Sequence, residues 1–237
     1  MAPLRKTLPK DLDALLAGGD FAAITAALAK CLPDAQDALG RTALAYAGCT
    51  EALTEWLLAR GASLAARDRS GNTLLQSRVA SRGDVEALLR RGVAVDEAGG
   101  NGGTALHTAA TTNKVAMVER LLAAGALPNA TDRRRLTPLE AALEQAHNAM
   151  LPSLLAIARA LLAAGATRTP RMDAAVVRIG ERFEFMRPSF NVELLPTASE
   201  ALTGLRPLRR PPDRRATPPR RERADRPCRD RMEEAIR

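Results

Sequence analysis

Gly102-Gly103-Thr104-Ala105-Leu106-His107-Thr108-Ala109-Ala110, followed by Val118-Glu119-Arg120-Leu121-Leu122-Ala123-Ala124-Gly125-Ala126, decides the architecture of this 237-residue chain, because its parts recur. The Thr-x-Leu of Thr104 and Leu106 returns as Thr42-Ala43-Leu44, Thr73-Leu74-Leu75 and Thr137-Pro138-Leu139, with successive threonines 31, 31 and 33 residues apart. The Leu-Leu-x-x-Gly of Leu121–Gly125 returns at Leu57–Gly61, Leu88–Gly92 and Leu161–Gly165. A unit with a period near about 33 residues means a solenoid, in which no repeat can bury its apolar face alone and stacking supplies the core.

Within each unit the residues spell helix, turn, helix. Val115, Val118, Leu121 and Leu122 fall on one face of a helix. Thr104 can cap the short helix before it, and Pro138 sits at a first helical position, where its missing N–H costs little. Gly61, Gly92, Gly125 and Gly165 each follow a Leu-rich helix and suit a left-handed C-terminal cap. Asn113, between the paired helices, tolerates the same conformation. The abundant alanines let helix pairs approach closely. The first two units are short, with Thr and Gly 19 residues apart against 21 in the third; the fourth spans 28, with extra residues around Gln145–Leu151.

These units resemble ankyrin repeats over roughly Leu8 to Arg168. The third is the closest to the family pattern. The fourth keeps Thr137-Pro138-Leu139 but has Glu140 where the family prefers His and Arg135 where it prefers Gly. The resemblance implies an all-α ankyrin-repeat solenoid of stacked helix-turn-helix units with short hairpin tips. We divide it into an N-terminal capping helix pair (1–36), four ankyrin-like repeats (37–168), C-terminal capping helices (169–205) and an Arg/Pro-rich tail expected to be disordered (206–237). Leu12, Leu15, Leu16, Phe21, Ile24 and Leu28 carry the first cap. Val176, Ile179, Phe183 and Met186 carry an amphipathic helix in the second, and Thr197 with Glu200 is a capping box opening another through Leu205. Phe183, Phe185 and Phe190 are read as a hydrophobic lid over the end of the stack.

The net charge of +8 suggests nucleic acid until it is mapped. Residues 206–237 hold twelve Arg and six Asp or Glu, so the tail carries most of that charge and the repeats are nearly neutral. With almost nothing apolar to bury, the tail is read as unfolded. It has no interleaved aromatics to stack bases, and its acids are mixed among the arginines. A shifted reading frame is another reading of the tail: Arg206–Pro212 can be written in codons that, one base later, give Ala-Leu-Phe-Gly-Val-Pro, which continues the helix through Leu205. Arg outnumbers Lys by 31 to 4, as GC-rich codons would give, and this points to a bacterial-type protein.

Other classes find little support. No apolar run reaches the ~20 residues that span a bilayer, so no membrane association is expected. Phe21–Ala29 is flanked by Asp20 and Lys30-Cys31 and reads as helix rather than leader. Cys31, Cys49 and Cys228 form no metal or redox spacing, which suits a reduced cytoplasm. His107 occupies the family's His position and is read as a structural imidazole; His147 falls in the extended fourth unit. No catalytic constellation stands out, so no enzyme activity, cofactor or metal is expected. Gly99-Gly100-Asn101-Gly102-Gly103 lacks the strand and Gly-Lys-Ser/Thr of a phosphate loop and is read as a flexible hairpin tip.

What remains is recognition. The resemblance implies a concave partner surface made of hairpin tips and short first helices. Carried over position by position, its residues are Arg67 and Arg69, then Asp96, Glu97 and Asn101, then Arg133 and Arg134 on the tips, with Arg41, Asn72, Thr111 and Thr112 at helix positions. The tips thus alternate basic, acidic, basic, which suits an oppositely patterned protein better than a phosphate backbone. The expected protein is a monomer that binds another protein. Rival readings are a nucleic-acid-associated protein acting through the Arg-rich tail, an enzyme using His147, and a host-directed ankyrin effector.

Overall fold

The structure is a computed structural model that describes residues 3–147 and 150–186. Strand β1 (Arg5–Thr7) leads into α1 (Leu12–Gly18) and α2 (Phe21–Leu28), and β2 (Cys31–Gln36) then pairs parallel with β1. This small sheet was not legible in the sequence and adds to the helix pair. It forms because the Arg5 and Leu8 N–H groups donate to the Lys30 and Gln36 carbonyls at 2.9 and 3.0 Å, tying the chain before α1 to the chain after α2.

The repeats follow in register. Thr42 precedes a 3-10 turn (Ala43–Ala45) and α3 (Glu51–Ala59); Thr73 precedes α4 (Leu74–Ala80) and α5 (Glu86–Leu89). Thr104 precedes α6 (Ala105–Thr111) and α7 (Val115–Ala123); Thr137 precedes α8 (Pro138–Gln145) and α9 (Leu151–Ala163), and α10 (Pro170–Met186) follows. The result is an all-α solenoid. Extra length in the fourth unit goes partly into helix, since α9 runs 13 residues against nine in α7. The predicted lid side chains Phe183, Phe185 and Phe190, the helix through Leu205 and the tail lie outside the residues whose side chains are described.

Stacking buries the leucines that set the period. Leu44, Leu53, Leu75, Leu88, Leu106, Leu121, Leu139 and Leu143 are almost wholly buried, as are Met172, Val176 and Ile179 of α10. Buried Ala105, Ala109, Ala110, Ala141 and Ala142 let first helices lie close against their neighbours. Gly125, at φ 86°, turns the chain out of α7 while the Ala126 N–H returns to the Leu121 carbonyl at 3.0 Å, a left-handed C-terminal cap. Asn113 and Arg135 take φ of 60°, and Arg82, at the position of Asn113 one unit earlier, takes 62°.

One side chain of unit 2 and the turn that opens unit 3 depart from expectation. Arg78 replaces the alanine found at Ala109 and Ala142, and its guanidinium is fully buried. One nitrogen donates to the Cys49 carbonyl at 2.8 Å, while Nε and Nη2 have no partner. The Gly99–Gly103 loop is a packed turn and not a flexible tip, because the Gly99 and Gly102 N–H groups close it on the Gly103 and Gly99 carbonyls, both at 2.8 Å. Its glycines answer to packing, since a Cβ on Gly100 would overlap the Ser70 carbonyl oxygen.

Candidate protein-binding surface

Each unit enters its first helix through a turn closed by two backbone hydrogen bonds, of which the outer joins its two ends. Asp37, Asp68, Gly99 and Asp132 N–H groups donate to the carbonyls of Arg41, Asn72, Gly103 and Leu136 at 3.0, 3.1, 2.8 and 3.0 Å. Where Asp opens the turn, its Oδ1 accepts two more N–H groups: Leu39 and Arg41 for Asp37, Ser70 and Asn72 for Asp68, Arg134 and Leu136 for Asp132. This is the Asx turn, in which a carboxylate replaces a carbonyl of the turn. Sequence reasoning missed it, although Asp at five residues before Thr in units 1, 2 and 4 was the available signal.

Adjacent turns then lock together. Arg69 N donates to the Leu39 carbonyl at 2.9 Å, and a Cβ on Gly40 would lie 2.8 Å from Arg69 Cγ, so the Arg69 stem lies over Gly40. Arg133 repeats this on Asn101 and Gly102, at 3.0 and 2.8 Å. Arg135 occupies the position of these glycines in unit 4.

A second lock runs through the third residue of each first helix. In unit 3, His107 Nδ1 accepts the Thr104 N–H at 3.0 Å, which leaves Nε2–H to donate to the Leu136 carbonyl of the next turn, also at 3.0 Å. Burial lowers the His107 pKa, and its hydrogen bond to Leu136 opposes that only in part. The imidazole is therefore structural, as expected. Gln76 does the same work, accepting from Thr73 N at 2.9 Å and donating to the Gly103 carbonyl at 2.7 Å. Glu140 accepts from Thr137 N and from Thr169 Oγ1, at 2.9 and 2.5 Å. Unit 1 has Ala45 there and lacks this bridge; its Thr42 hydroxyl is buried without a partner.

These contacts redraw the charge pattern of the tips. Arg67 is bound to Glu97 at 2.5 Å and to the Gly71 and Ala98 carbonyls, both at 3.0 Å. Asp96 accepts the Leu127 N–H at 3.0 Å, just as Asp34 accepts that of Ser63 at 2.8 Å. Arg134 pairs with Glu144 at 2.5 Å. The expected alternation of free charge therefore does not arise: Arg67, Asp96 and Glu97 join one unit to the next. Arg69 and Arg133 stay exposed and their guanidinium groups have no partner among the described residues.

The helix positions divide in the same way. Arg41 Nε donates to Asp37 Oδ2 at 2.8 Å, and Tyr46 Oη donates to the same oxygen at 2.8 Å. Burial and that bond push the Tyr46 hydroxyl up to about 12. Asp37 is net lowered, because the N–H and O–H donors around it outweigh the burial that would raise it. Asn72 Nδ2 donates to Asp68 Oδ2 at 2.9 Å. Thr111 and Thr112 turn their hydroxyl protons back onto the His107 and Thr108 carbonyls at 2.8 and 2.6 Å. Asn101 closes its turn by accepting Gly103 N–H at 2.9 Å.

Between the first two turns and the first helices of units 2 and 3 lies a groove of about 550 Å³. Leu39, Arg41, Arg69, Asn72, Ser77 and Ser81 are among its walls, so it gathers three of the predicted residues; Thr111, Thr112, Arg133 and Arg134 lie outside its lining. His147 is exposed and outside it as well. Among the described residues no cluster of three His, Cys, Asp or Glu could hold a metal ion, and no helix is long and apolar enough to cross a membrane.

Residues 88–142 match the family model described as ankyrin repeats (many copies). No curated protein sequence matches the chain. Among solved structures it is similar to the crystal structure of the ankyrin repeat domain of Bcl-3, described as a unique member of the IkappaB protein family. That likeness has 26% identity and a TM-score of 0.53, covering 66% of this chain and 70% of the other. Four units in phase, turns locked by side chains from the next unit, and these two likenesses agree: the chain is an ankyrin-repeat protein.

Proposed function

We propose that this chain is a non-catalytic, cytoplasmic interaction protein that takes another protein on the face built by its turns and first helices. Ankyrin repeats are in general protein-interaction modules. The observation that carries the reading is the groove between Leu39, Arg69 and Ser81, an open cavity onto which the exposed Arg69 guanidinium, without a partner among the described residues, and the exposed Leu39 both border. On the second helices, by contrast, exposed charges are used within the stack: Arg91 with Glu51 at 2.6 Å, Arg90 with Glu51 at 3.4 Å, Arg120 with Glu86 at 4.0 Å. We also propose the division into a cap at 1–36, repeats at 37–168, a second cap at 169–205 and a tail at 206–237, acting as a monomer.

Reversal of Arg69, in the groove, and Arg133, the two tip arginines without a partner among the described residues, to Glu tests the reading. Capture of the partner from cell extract should fall, chiefly through slower association, and the loss should shrink once salt brings the Debye length below about 8 Å. Unchanged capture would place the interface elsewhere. A second reading, nucleic-acid association through the tail, is favoured by its twelve arginines. It predicts steeply salt-dependent binding that disappears on truncation after Leu205.

A further inference from the structure

We propose that the groove between the first two turns and α4 takes an extended, acidic protein segment, with carboxylates at Arg41 and Arg69 and an apolar side chain against Leu39; this rests on the reading above. The inference comes from counting which hydrogen-bonding capacity the groove still has to offer. Both carboxylates at this end are used up. Asp37 accepts from Leu39 N, Arg41 N, Arg41 Nε and Tyr46 Oη, and Asp68 from Ser70 N, Asn72 N, Asn72 Nδ2 and Ser77 Oγ. The donors are only partly used. The Arg69 guanidinium has no partner among the described residues. Arg41 gives Nε to Asp37, reaches Tyr46 Oη at a long 3.4 Å and lies 4.6 Å from the Tyr46 ring centroid, but keeps Nη1 without a partner among them. Because the Arg69 stem lies over Gly40, next to Arg41 in the chain, the two cations share one wall. A planar guanidinium is matched bidentately by a carboxylate.

The opposite wall has the complementary property. The Ser81 hydroxyl shares its proton between the Ala45 and Arg78 carbonyls, both at 3.0 Å, while Ser77 Oγ reaches Asp68 only at a long 3.5 Å. With its proton committed, Ser81 presents lone pairs, which suit an N–H group of an extended backbone. Leu39, 60% exposed, stands at the rim, with Ala38 and Ala80 beside it. No aromatic ring lines the groove, so stacked bases have no platform. Donors for carboxylates, an acceptor for an amide and an apolar rim together fit an acidic peptide.

Selection of a random peptide library displayed on phage against the full chain tests this. Enriched peptides should be net negative and carry a leucine-like residue. Their affinity should fall about fivefold to tenfold with Arg69→Glu, and in the same direction with Arg69→Met, which keeps the stem over Gly40. Glu119→Lys, on the far helix, should leave it unchanged. Neutral or basic peptides that remain sensitive to Thr108→Arg in the groove would overturn the acidic occupant and leave the groove-face reading standing. Binders insensitive to every groove variant, or no binders, would overturn both. A random single-stranded oligonucleotide that displaced the peptides at lower concentration would assign the two arginines to phosphate and overturn the proposal.

Discussion

Units 2 and 3 share one frame, yet only unit 3 has a full second helix: nine residues in α7 against four in α5. Thr and Gly stand 19 residues apart in unit 2 and 21 in unit 3, and the two absent residues come out of the first turn of the second helix. The space is filled from the first helix. Arg78 stands where unit 3 has Ala109, and its long stem lies against Gly83. Meanwhile the backbone closure of the turn and the bridge through Gln76 match those of unit 3. The outer layer can thus be shortened and refilled, whereas the layer that carries the turns is kept. A repeat that lost its turn would lose its link to both neighbours, while a shortened outer helix costs only local packing.

The largest effect should come from the complete outer helix. Leu121→Ala leaves a cavity between stacked helices and should cost on the order of 2–5 kcal/mol, read from the midpoint of chemical unfolding. Leu88→Ala, equally buried but in the short α5, should cost less, because a four-residue helix collapses more readily into the gap. Equal losses would mean that α5 is held as rigidly as α7.

Arg78 sharpens the contrast. Arg78→Ala removes the filler and should destabilise by about 2–3 kcal/mol. Arg78→Met keeps most of the stem and removes two buried nitrogens whose N–H groups have no partner, so it should be neutral or stabilise by up to about 1 kcal/mol. Should both variants lose the same amount, the guanidinium bond to Cys49, rather than the filled volume, is what unit 2 needs.

The bridges differ in how they titrate. The folded state lowers the His107 pKa below its ordinary 6.5 and so favours the neutral ring. Its contribution is therefore fully present above pH 6.5 and is lost as pH falls through 6.5 toward the lower folded value. His107→Gln copies the bridge of unit 2 without a titrating group. Melting temperatures between pH 7.5 and 5.5 should fall less for the variant than for the wild type; parallel curves would show that another group controls this window.

The smallest effect concerns Arg135, at φ 60° where the other units have glycine. Arg135→Gly should not destabilise, and relief of the left-handed strain should appear as a gain of up to ~1 kcal/mol in thermal unfolding. Units 1 to 3 need glycine here because an incoming turn covers the position. A clear loss would mean that the Arg135 side chain holds unit 4 together.

Much of this was legible in the sequence, for a physical reason. Caps, left-handed positions and apolar faces are local properties, so Pro138, Asn113 and Gly125 could be read one unit at a time. What escaped depends on distances between units. Arg67 and Glu97 are 30 residues apart, and Asp96 and Leu127 are 31 apart; only stacking brings them together. Charges read as a free rim proved to be joints, which left Arg69 and Arg133 as uncommitted ones. The parallel pair β1–β2 escaped for the same reason, since neither strand has an alternating pattern.

The central claim is that another protein sits on the turn-and-first-helix face. A photo-crosslinking side chain at Thr112, exposed at the end of α6, compared with one at Glu119, exposed on α7, tests it without knowledge of the partner. Irradiation in cell extract should give discrete protein adducts from position 112 and few from 119. Adducts from 119 alone, or nucleic-acid adducts from 112, would contradict the account.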